Sequence, residues 1–217
     1  MIVFGWSELP NYAIDCLKYL NKKKKILLLT DNKNAKTLLP SVKIKIIKLN
    51  KSYSWEELGC INPTYFFFTG WNNKAFNNLA KTKIAKNICL IDNIYKGNLR
   101  QFLGKYYFRI FFQNLFDAIL VPGFKSKKFI EYLGYKKKIY KGLYSCNNNI
   151  FRLKRINRFR KYDFIFIGKF IKRKNLKLLL EVFKELQKIY PNIKLNIIGG
   201  KKITKNNVNV TYKGLIK

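Results

Sequence analysis

The sequence contains no histidine and only 11 acidic residues among 217. Without histidine, neither Ser-His-Asp nor Cys-His catalysis can operate. The four cysteines lie far apart with no C-x-x-C pair, so we expect neither a metal site nor a disulfide framework. No apolar run reaches the ~18 residues that a membrane-spanning helix needs. The first residues lack a signal-peptide pattern, and the expected location is therefore the cytoplasm.

Acidic residues are scarce while basic ones are abundant: 45 Lys and Arg stand against 11 Asp and Glu, a net charge of +34. Such a field attracts nucleic acid, anionic lipid headgroups and polyanionic substrates. Asn, Ile, Lys, Phe and Tyr are abundant together, which indicates AT-rich codons and makes Lys the default surface residue. Codon bias is the favoured explanation. A basic module that binds nucleic acid or an anionic membrane is the alternative.

Short apolar segments alternate with helical patterns along the chain. The predicted strands are residues 2–5, 26–29, 44–49, 65–68, 88–91, 118–121, 164–167, 193–198 and 208–212, and the predicted helices are 8–20, 75–80, 99–115, 126–133 and 176–190. This alternation predicts doubly wound parallel α/β sheets. Strand 164–167 is an unbroken apolar run, so we expect it to be covered on both faces.

A polar, basic stretch separates two such α/β runs. We predict a Rossmann-like domain over residues 1–150, a basic linker over 151–161, and an incomplete second Rossmann-like domain over 162–217. The linker region also offers the nucleic-acid alternative. It would bind through the cations of 152–161, with Phe151, Phe159 and Tyr162 as stacking partners.

The loop after strand 164–167 has the composition of a phosphate site. Gly168 ends the strand, and four cations follow before the next helix. They are Lys169, Lys172, Arg173 and Lys174. Backbone N–H groups at the start of a helix, together with cations, suit phosphate oxygens. A solvated basic turn is the competing interpretation.

The surrounding sequence resembles a known family. The segment G-K-F-x-x-x-K-N from Gly168 to Asn175, the helix after it, and then YPNIKLNIIGG and VTYKG resemble the donor-binding domain of family 4 glycosyltransferases. The resemblance implies a GT-B fold and transfer of a sugar from a nucleotide diphosphate, with no metal and no cofactor beyond this co-substrate. Two cations of that family grip the donor diphosphate. Lys169 and Lys174 occupy their positions, and Asn175 stands where Gly is commoner.

The first half resembles the acceptor-side domain of the same family. The segments that carry this are PTYFFFTGWNNKAFNNLAK, CLIDN, FDAILVPGFKSKKFIEYLGY and GLYSCNNNIF. The resemblance implies a glycan or glycolipid acceptor, in cell-envelope polysaccharide synthesis. The family carries a His near the reacting sugar, and here Asp92 and Asn93 stand at the comparable strand end. A carboxylate can accept a hydroxyl proton, so Asp92 is the catalytic candidate. Asx capping of the turn is the alternative.

The resemblance breaks at the end of the sequence. The family's donor domain continues beyond VTYKG and bears two glutamates eight residues apart, and these are absent here. We therefore expect a partial chain that does not catalyse transfer alone, with a second chain that completes the donor domain.

Three further interpretations concern packing. Ser126 is predicted to be a helix N-cap. The aromatic run 106–115 favours core packing, with a peripheral membrane-surface face at the inner side of the membrane as the alternative. Trp6, Trp55 and Trp71 lie in or near loops, where packing is the default and stacking on a sugar is the alternative.

Overall fold

The computed structural model of the chain describes residues 1–60, 62–142, 145–149, 163–200 and 209–215. The fold divides into two compact units, Met1–Arg152 and Leu153–Lys217, called unit 1 and unit 2 below. Each unit is built on a parallel sheet of its own. The basic stretch 152–161 and its stacking candidates Phe151, Phe159 and Tyr162 lie outside the described residues.

Unit 1 is a doubly wound α/β domain. Its strands are β1 (Ile2–Gly5), β2 (Ile26–Thr30), β3 (Lys43–Ile46), β4 (Tyr65–Thr69), β5 (Lys86–Leu90), β6 (Ala118–Val121) and β7 (Lys138–Lys141). Its helices are α1 (Asn11–Lys23), α2 (Ala35–Leu38), α3 (Lys74–Lys81), α4 (Leu99–Phe111) and α5 (Phe124–Tyr132). The sheet order is β3-β2-β1-β4-β5-β6-β7, with every neighbouring pair parallel. The order therefore reverses between β1 and β4.

The two faces of this sheet bury separate cores. One core joins Phe4 of β1 and Ile26 and Leu28 of β2 to α1 and α2. The other is strongly aromatic and joins β4, β5 and β6 to α3 and α5. Within it the ring of Phe68 lies 4.7 Å from that of Phe66 and 5.7 Å from that of Phe116. Burial of such large apolar rings stabilises the folded unit.

The structure confirms the predicted alternation of strands and helices, with local corrections. Helix α2 and strand β7 were not predicted, and α4 ends at Phe111 rather than at residue 115. The prediction that Ser126 caps a helix is wrong, because α5 begins two residues earlier with Gly123 as its N-cap. Ser126 is instead buried inside the first turn, and its hydroxyl donates to the carbonyl of Asp92 at 3.3 Å.

Unit 2 contains three parallel strands in the order β10-β9-β8. They are β8 (Phe164–Ile167), β9 (Leu195–Ile198) and β10 (Val210–Gly214). A 3-10 turn (Lys172–Lys174) and helix α6 (Leu176–Ile189) connect β8 to β9. Phe183 of α6 packs on the buried residues of β9 and β10, and this forms the core of the unit.

The prediction that strand 164–167 is covered on both faces is wrong. Alternate residues of a strand point to opposite faces. The ring of Phe164 contacts Phe183 of α6, and Phe166 packs on the same core. Ile165 and Ile167 point to the other face and are 60% and 72% exposed. Strand β8 is the edge of the described sheet, and α6 covers only one side of it.

Candidate functional site

A cavity of about 350 Å³ opens at the carboxyl ends of β1, β4 and β5 in unit 1. The strand order reverses between β1 and β4. Doubly wound sheets bind their ligands at such a switch point, outside the carboxyl ends of the strands. The cavity wall combines aromatic rings, carboxylates and amides, namely Trp6, Glu8, Tyr12, Trp71, Asn72, Asp92 and Asn93. This mixture suits a polar ligand with apolar faces, such as a sugar.

The loop after β1 is held in place by its neighbours on the sheet. The backbone N–H of Trp6 donates to the carbonyl of Leu29 at 2.9 Å, and the hydroxyl of Thr30 donates to the carbonyl of Ser7 at 3.4 Å. Gly5 ends β1, where a Cβ would lie 2.9 Å from the ring of Phe76. Glycine at this position therefore lets α3 pack against the strand end that supports the cavity.

Trp71 is anchored from behind. The side-chain amide of Asn77 donates to its carbonyl at 2.7 Å. The indole ring lies 5.4 Å from the rings of both Phe108 and Phe112. Trp71 is thus a fixed wall of the cavity. Trp6 also lines the cavity, whereas Trp55 is buried in the core and donates a hydrogen bond to Thr82.

The structure places Asp92, the catalytic candidate, on this cavity together with Glu8. Both residues are exposed to solvent. The carbonyl of Asp92 is tied to Ser126, which fixes the backbone at the end of β5. Sequence reasoning missed Glu8. Its position in the loop directly after the first strand, at the switch point, was the available signal.

A second cavity of about 460 Å³ adjoins the first and shares Trp6, Tyr12 and Leu90 with it. Its remaining lining is mostly apolar and comes from the sheet and from α1, including Phe4, Phe67, Ala13, Leu20 and Leu120. The polar cavity and the apolar cavity thus have common walls. A ligand with a polar part and an apolar part would fit this arrangement.

The cysteines offer no activated nucleophile at these cavities. All four are free. Burial raises the pKa of the Cys16, Cys60 and Cys89 thiols above the ordinary value, so they stay protonated at neutral pH.

In unit 2 the predicted phosphate loop lies at the carboxyl end of β8. Gly168 follows the strand, and its N–H donates to the carbonyl of Ile198 at 2.9 Å. A Cβ on Gly168 would lie 3.6 Å from Cε of Lys174. The structure therefore brings the side chain of Lys174 back across the strand end at Gly168. Lys169 and Lys174 are both exposed to solvent.

Asn175 joins the 3-10 turn to helix α6. Its φ of 47° lies in the left-handed region, which explains why glycine suits this position and why asparagine is tolerated there. Asn175 makes no side-chain capping bond to α6. The first N–H groups of a helix have no partner within the helix. Helix α6 begins directly after the loop that carries Lys169 and Lys174, so these unpartnered N–H groups follow the loop cations in the chain.

Gly199 lets the strands β8 and β9 close at this loop. It adopts a φ of 114°, and a Cβ there would overlap the carbonyl oxygen of Gly168. Gly200 adopts a φ of 64° under the ring of Phe170. These two glycines allow the strand ends to approach closely at the base of the predicted phosphate loop.

Comparison with known families places a match on unit 2. Residues 149–215 match the family described as Glycosyl transferases group 1. This match supports a glycosyltransferase. No curated protein matches the chain in sequence.

Two solved structures share the fold. The Anabaena protein HepE, whose structure was solved in complex with UDP and glucose, superposes with a TM-score of 0.63 at 11% identity, covering 100% of this chain and 70% of its own. UDP-N-acetylglucosamine 2-epimerase from Rickettsia bellii gives a TM-score of 0.55 at 13% identity, covering 98% of this chain and 68% of its own. At such identities the likeness shows the fold alone, and that fold is the predicted GT-B-like α/β architecture.

Proposed function

We propose that this protein is a glycosyltransferase that binds a nucleotide-diphosphate sugar at the loop between β8 and α6. The observation that carries the proposal is the convergence of Gly168, Lys174 and the first turn of α6 at one strand end. This convergence lies inside the segment that matches the glycosyltransferase family. Lys169 adds a second exposed cation next to Gly168.

The chemistry of the donor explains these residue types. When the glycosidic bond to the diphosphate breaks, negative charge develops on the leaving phosphate oxygens. Lys169 and Lys174 neutralise that charge, and the N-terminal N–H groups of α6 donate hydrogen bonds to it. Stabilisation of this kind acts mainly in the transition state, because the charge on the bridging oxygen is largest there.

Unit 1 supplies the acceptor site in this proposal. The cavity of about 350 Å³ has two indole walls, Trp6 and Trp71, on which a sugar ring can stack. Asp92 accepts the proton of the attacking hydroxyl. Glu8, on the same cavity, is the second carboxylate that can orient or deprotonate that hydroxyl.

The acceptor is a glycolipid rather than a free glycan in this proposal, since the polar cavity adjoins an apolar one of about 460 Å³. The sugar would occupy the polar cavity, and the apolar portion would extend past Leu90 toward Leu120. Cell-envelope polysaccharide synthesis in the cytoplasm, as predicted from the sequence, fits such an acceptor.

The test is calorimetric binding of UDP and GDP to the full chain. Lys169→Ala/Lys174→Ala should weaken binding by at least about tenfold, since each lost charge-assisted contact is worth ~1.5–3 kcal/mol. The matched control is Lys184→Ala/Lys188→Ala, which removes the same charge from the C-terminal half of α6. The control should bind like the parent chain. Equal losses in the two double variants would assign the binding to net charge and overturn the proposed site.

A further inference from the structure

Helix α4 turns most of its large apolar side chains toward solvent. Leu99, Leu103 and Ile110 are 72%, 60% and 73% exposed. Four aromatic residues of the helix are also exposed, namely Phe102, Tyr106, Tyr107 and Phe111. Among the residues of α4 only Phe108 is buried. Soluble proteins rarely expose so many contiguous apolar side chains, and such a patch marks an interaction surface.

The exposed residues share one side of the helix. At about 100° per residue, all seven fall within about half of the circumference, opposite Phe108. Leu99, Leu103 and Ile110 lie near the middle of this stripe, called the α4 face below. Arg100 and Arg109 lie at its two borders. The α4 face is therefore an aliphatic and aromatic stripe with a guanidinium on each side.

The core fixes this orientation of the helix. Phe108 and, just beyond the helix, Phe112 both contact the ring of Trp71 at 5.4 Å. Because these contacts point Phe108 inward, the opposite side of α4 must face outward. The side chain of Gln101 donates to the carbonyl of Ile94 at 2.8 Å. This bond holds the preceding loop, with its exposed Ile94 and Tyr95, beside the first turn of the helix.

The charge around the α4 face has one sign. No Asp or Glu occurs from residue 93 to residue 116. The same segment carries four cations, namely Lys96, Arg100, Lys105 and Arg109. Lys105 is partly withdrawn, with its Nζ 5.0 Å from the ring centre of Tyr132 on α5. Arg100 and Arg109 are exposed, and the guanidinium of Arg109 packs beside Gly134, where a Cβ would lie 2.5 Å from its Nε. Lys96 is exposed in the loop before the helix.

We propose that the α4 face docks the protein on an anionic lipid bilayer. Helices that lie in the membrane interface combine a buried apolar stripe with cations at its borders. Aromatic residues, especially Tyr, are enriched at the depth of the headgroups, and Lys and Arg are attracted by anionic lipids. Leu99, Leu103 and Ile110 would enter the acyl boundary, while Arg100 and Arg109 would contact headgroup phosphates.

Lipid explains the composition better than nucleic acid does. Nucleic-acid surfaces use cations for phosphates and aromatic rings for bases. The centre of the α4 face is aliphatic, and leucine and isoleucine gain nothing from a hydrated phosphate backbone. Transfer of these side chains into the acyl boundary removes them from water. The inference uses residues of unit 1 alone and stands apart from the donor loop of unit 2.

Vesicle sedimentation of the full chain tests the inference. The probes are vesicles of phosphatidylcholine alone and of phosphatidylcholine with phosphatidylglycerol, at physiological ionic strength. The chain should bind the anionic vesicles, and Leu103→Ser/Ile110→Ser should lower the partition coefficient at least about tenfold. Both side chains are exposed, so the substitutions leave the core intact. Circular dichroism and UDP binding equal to those of the parent chain verify the fold.

The matched control is Leu178→Ser/Ile189→Ser, the same substitutions at comparably exposed positions of α6. It should bind vesicles like the parent chain. Equal vesicle binding by all three proteins would assign the association to net charge and overturn the inference. Absence of binding to either vesicle would overturn it too. So would a parent chain that forms a dimer abolished by Leu103→Ser/Ile110→Ser, because a second copy would then occupy the face.

Discussion

At the scale of single residues, Asn175 shows how backbone conformation and sequence pattern explain each other. It connects the 3-10 turn to α6 with a φ of 47°. Left-handed conformation is costly for most L-residues, while glycine adopts it freely and asparagine with little cost. In the family 4 glycosyltransferases that the sequence resembles, glycine is commoner than asparagine at this position. The φ angle of Asn175 gives the physical reason. This residue sets the direction in which α6 leaves the loop that carries Lys169 and Lys174.

Substitution of Asn175 tests that role. Asn175→Gly should change the free energy of unfolding by less than about 0.5 kcal/mol. Asn175→Val should lower it by about 1–2 kcal/mol, because a β-branched residue is strained at this φ. Urea unfolding followed by circular dichroism measures both. A valine variant as stable as the glycine variant would show that the left-handed turn does not constrain this loop.

Two aspartates, one in each unit, make the same kind of hydrogen bond between the beginnings of two adjacent strands. The carboxylate of Asp117, just before β6, accepts the backbone N–H of Asn87 at 2.8 Å. The carboxylate of Asp163, just before β8, accepts the backbone N–H of Lys194 at 2.8 Å. Each bond links the beginnings of two adjacent parallel strands. The aspartate of the family-like segment around Asp117 therefore has a structural role here.

At the scale of elements, the sequence predicted the positions of apolar strands better than it predicted exposed strands or the burial of helical side chains. Continuous apolar runs such as 118–121 were placed without error, because a buried strand needs only that pattern. Strand β7 was missed, since its sequence KIYK has no apolar run and most of it is exposed. The aromatic run 106–115 was assigned to the core. In the structure Phe108 and Phe112 are buried, whereas Tyr106 and Ile110 are exposed. The sequence did not reveal this difference, because several aromatic residues in succession hide the helical period.

The exposure of β8 leads to a measurable contrast in unit 2. Ile197 on β9 is buried, whereas Ile167 on β8 points away from α6. Ile197→Ala should cost about 2–5 kcal/mol of unfolding free energy, the usual value for a buried isoleucine. Ile167→Ala should cost less than about 1 kcal/mol, because little apolar surface is lost from the core. Urea unfolding of the two variants decides this, and equal costs would mean that both faces of β8 are covered.

At the scale of the whole molecule, repulsion between cations dominates the electrostatics. The net charge is +34. Three ion pairs join described side chains, and each links residues three or four positions apart within a single helix. They are Lys127–Glu131 in α5, and Lys177–Glu181 and Lys188–Glu185 in α6. Exposed pairs of this kind contribute little to stability. Self-repulsion at high net charge, in contrast, disfavours the compact state.

Salt should therefore stabilise this protein. Screening by sodium chloride weakens the repulsion more than it weakens the few attractive pairs. We expect the Tm to rise by about 2–4 °C between low and moderate ionic strength, which for a chain of this size corresponds to about 1 kcal/mol. Differential scanning calorimetry measures it, with potassium chloride as the control for ion identity. A Tm that falls with either salt would contradict this balance.

The fold class could be predicted for the whole chain, while the candidate site could be predicted only in part. Alternating strands and helices determine a parallel sheet through general packing rules. Asp92 and the loop cations were identified from motifs. Glu8 was missed, although its position after the first strand was an available signal, because its place at the Asp92 cavity depends on the pairing of β1 with the distant strand β4. The expectation of a partial donor domain that a second chain completes stays a prediction.

The account rests centrally on the diphosphate site between β8 and α6, and amide chemical-shift mapping of the ¹⁵N-labelled chain with UDP tests its location most directly. The largest shift changes should fall on Gly168, Lys169 and residues 174–178, which form the loop and the first turn of α6 at the proposed diphosphate site. Inorganic diphosphate should move the same amides. Shift changes spread over the lysine-rich surface, or none at this loop at saturating UDP, would contradict the account.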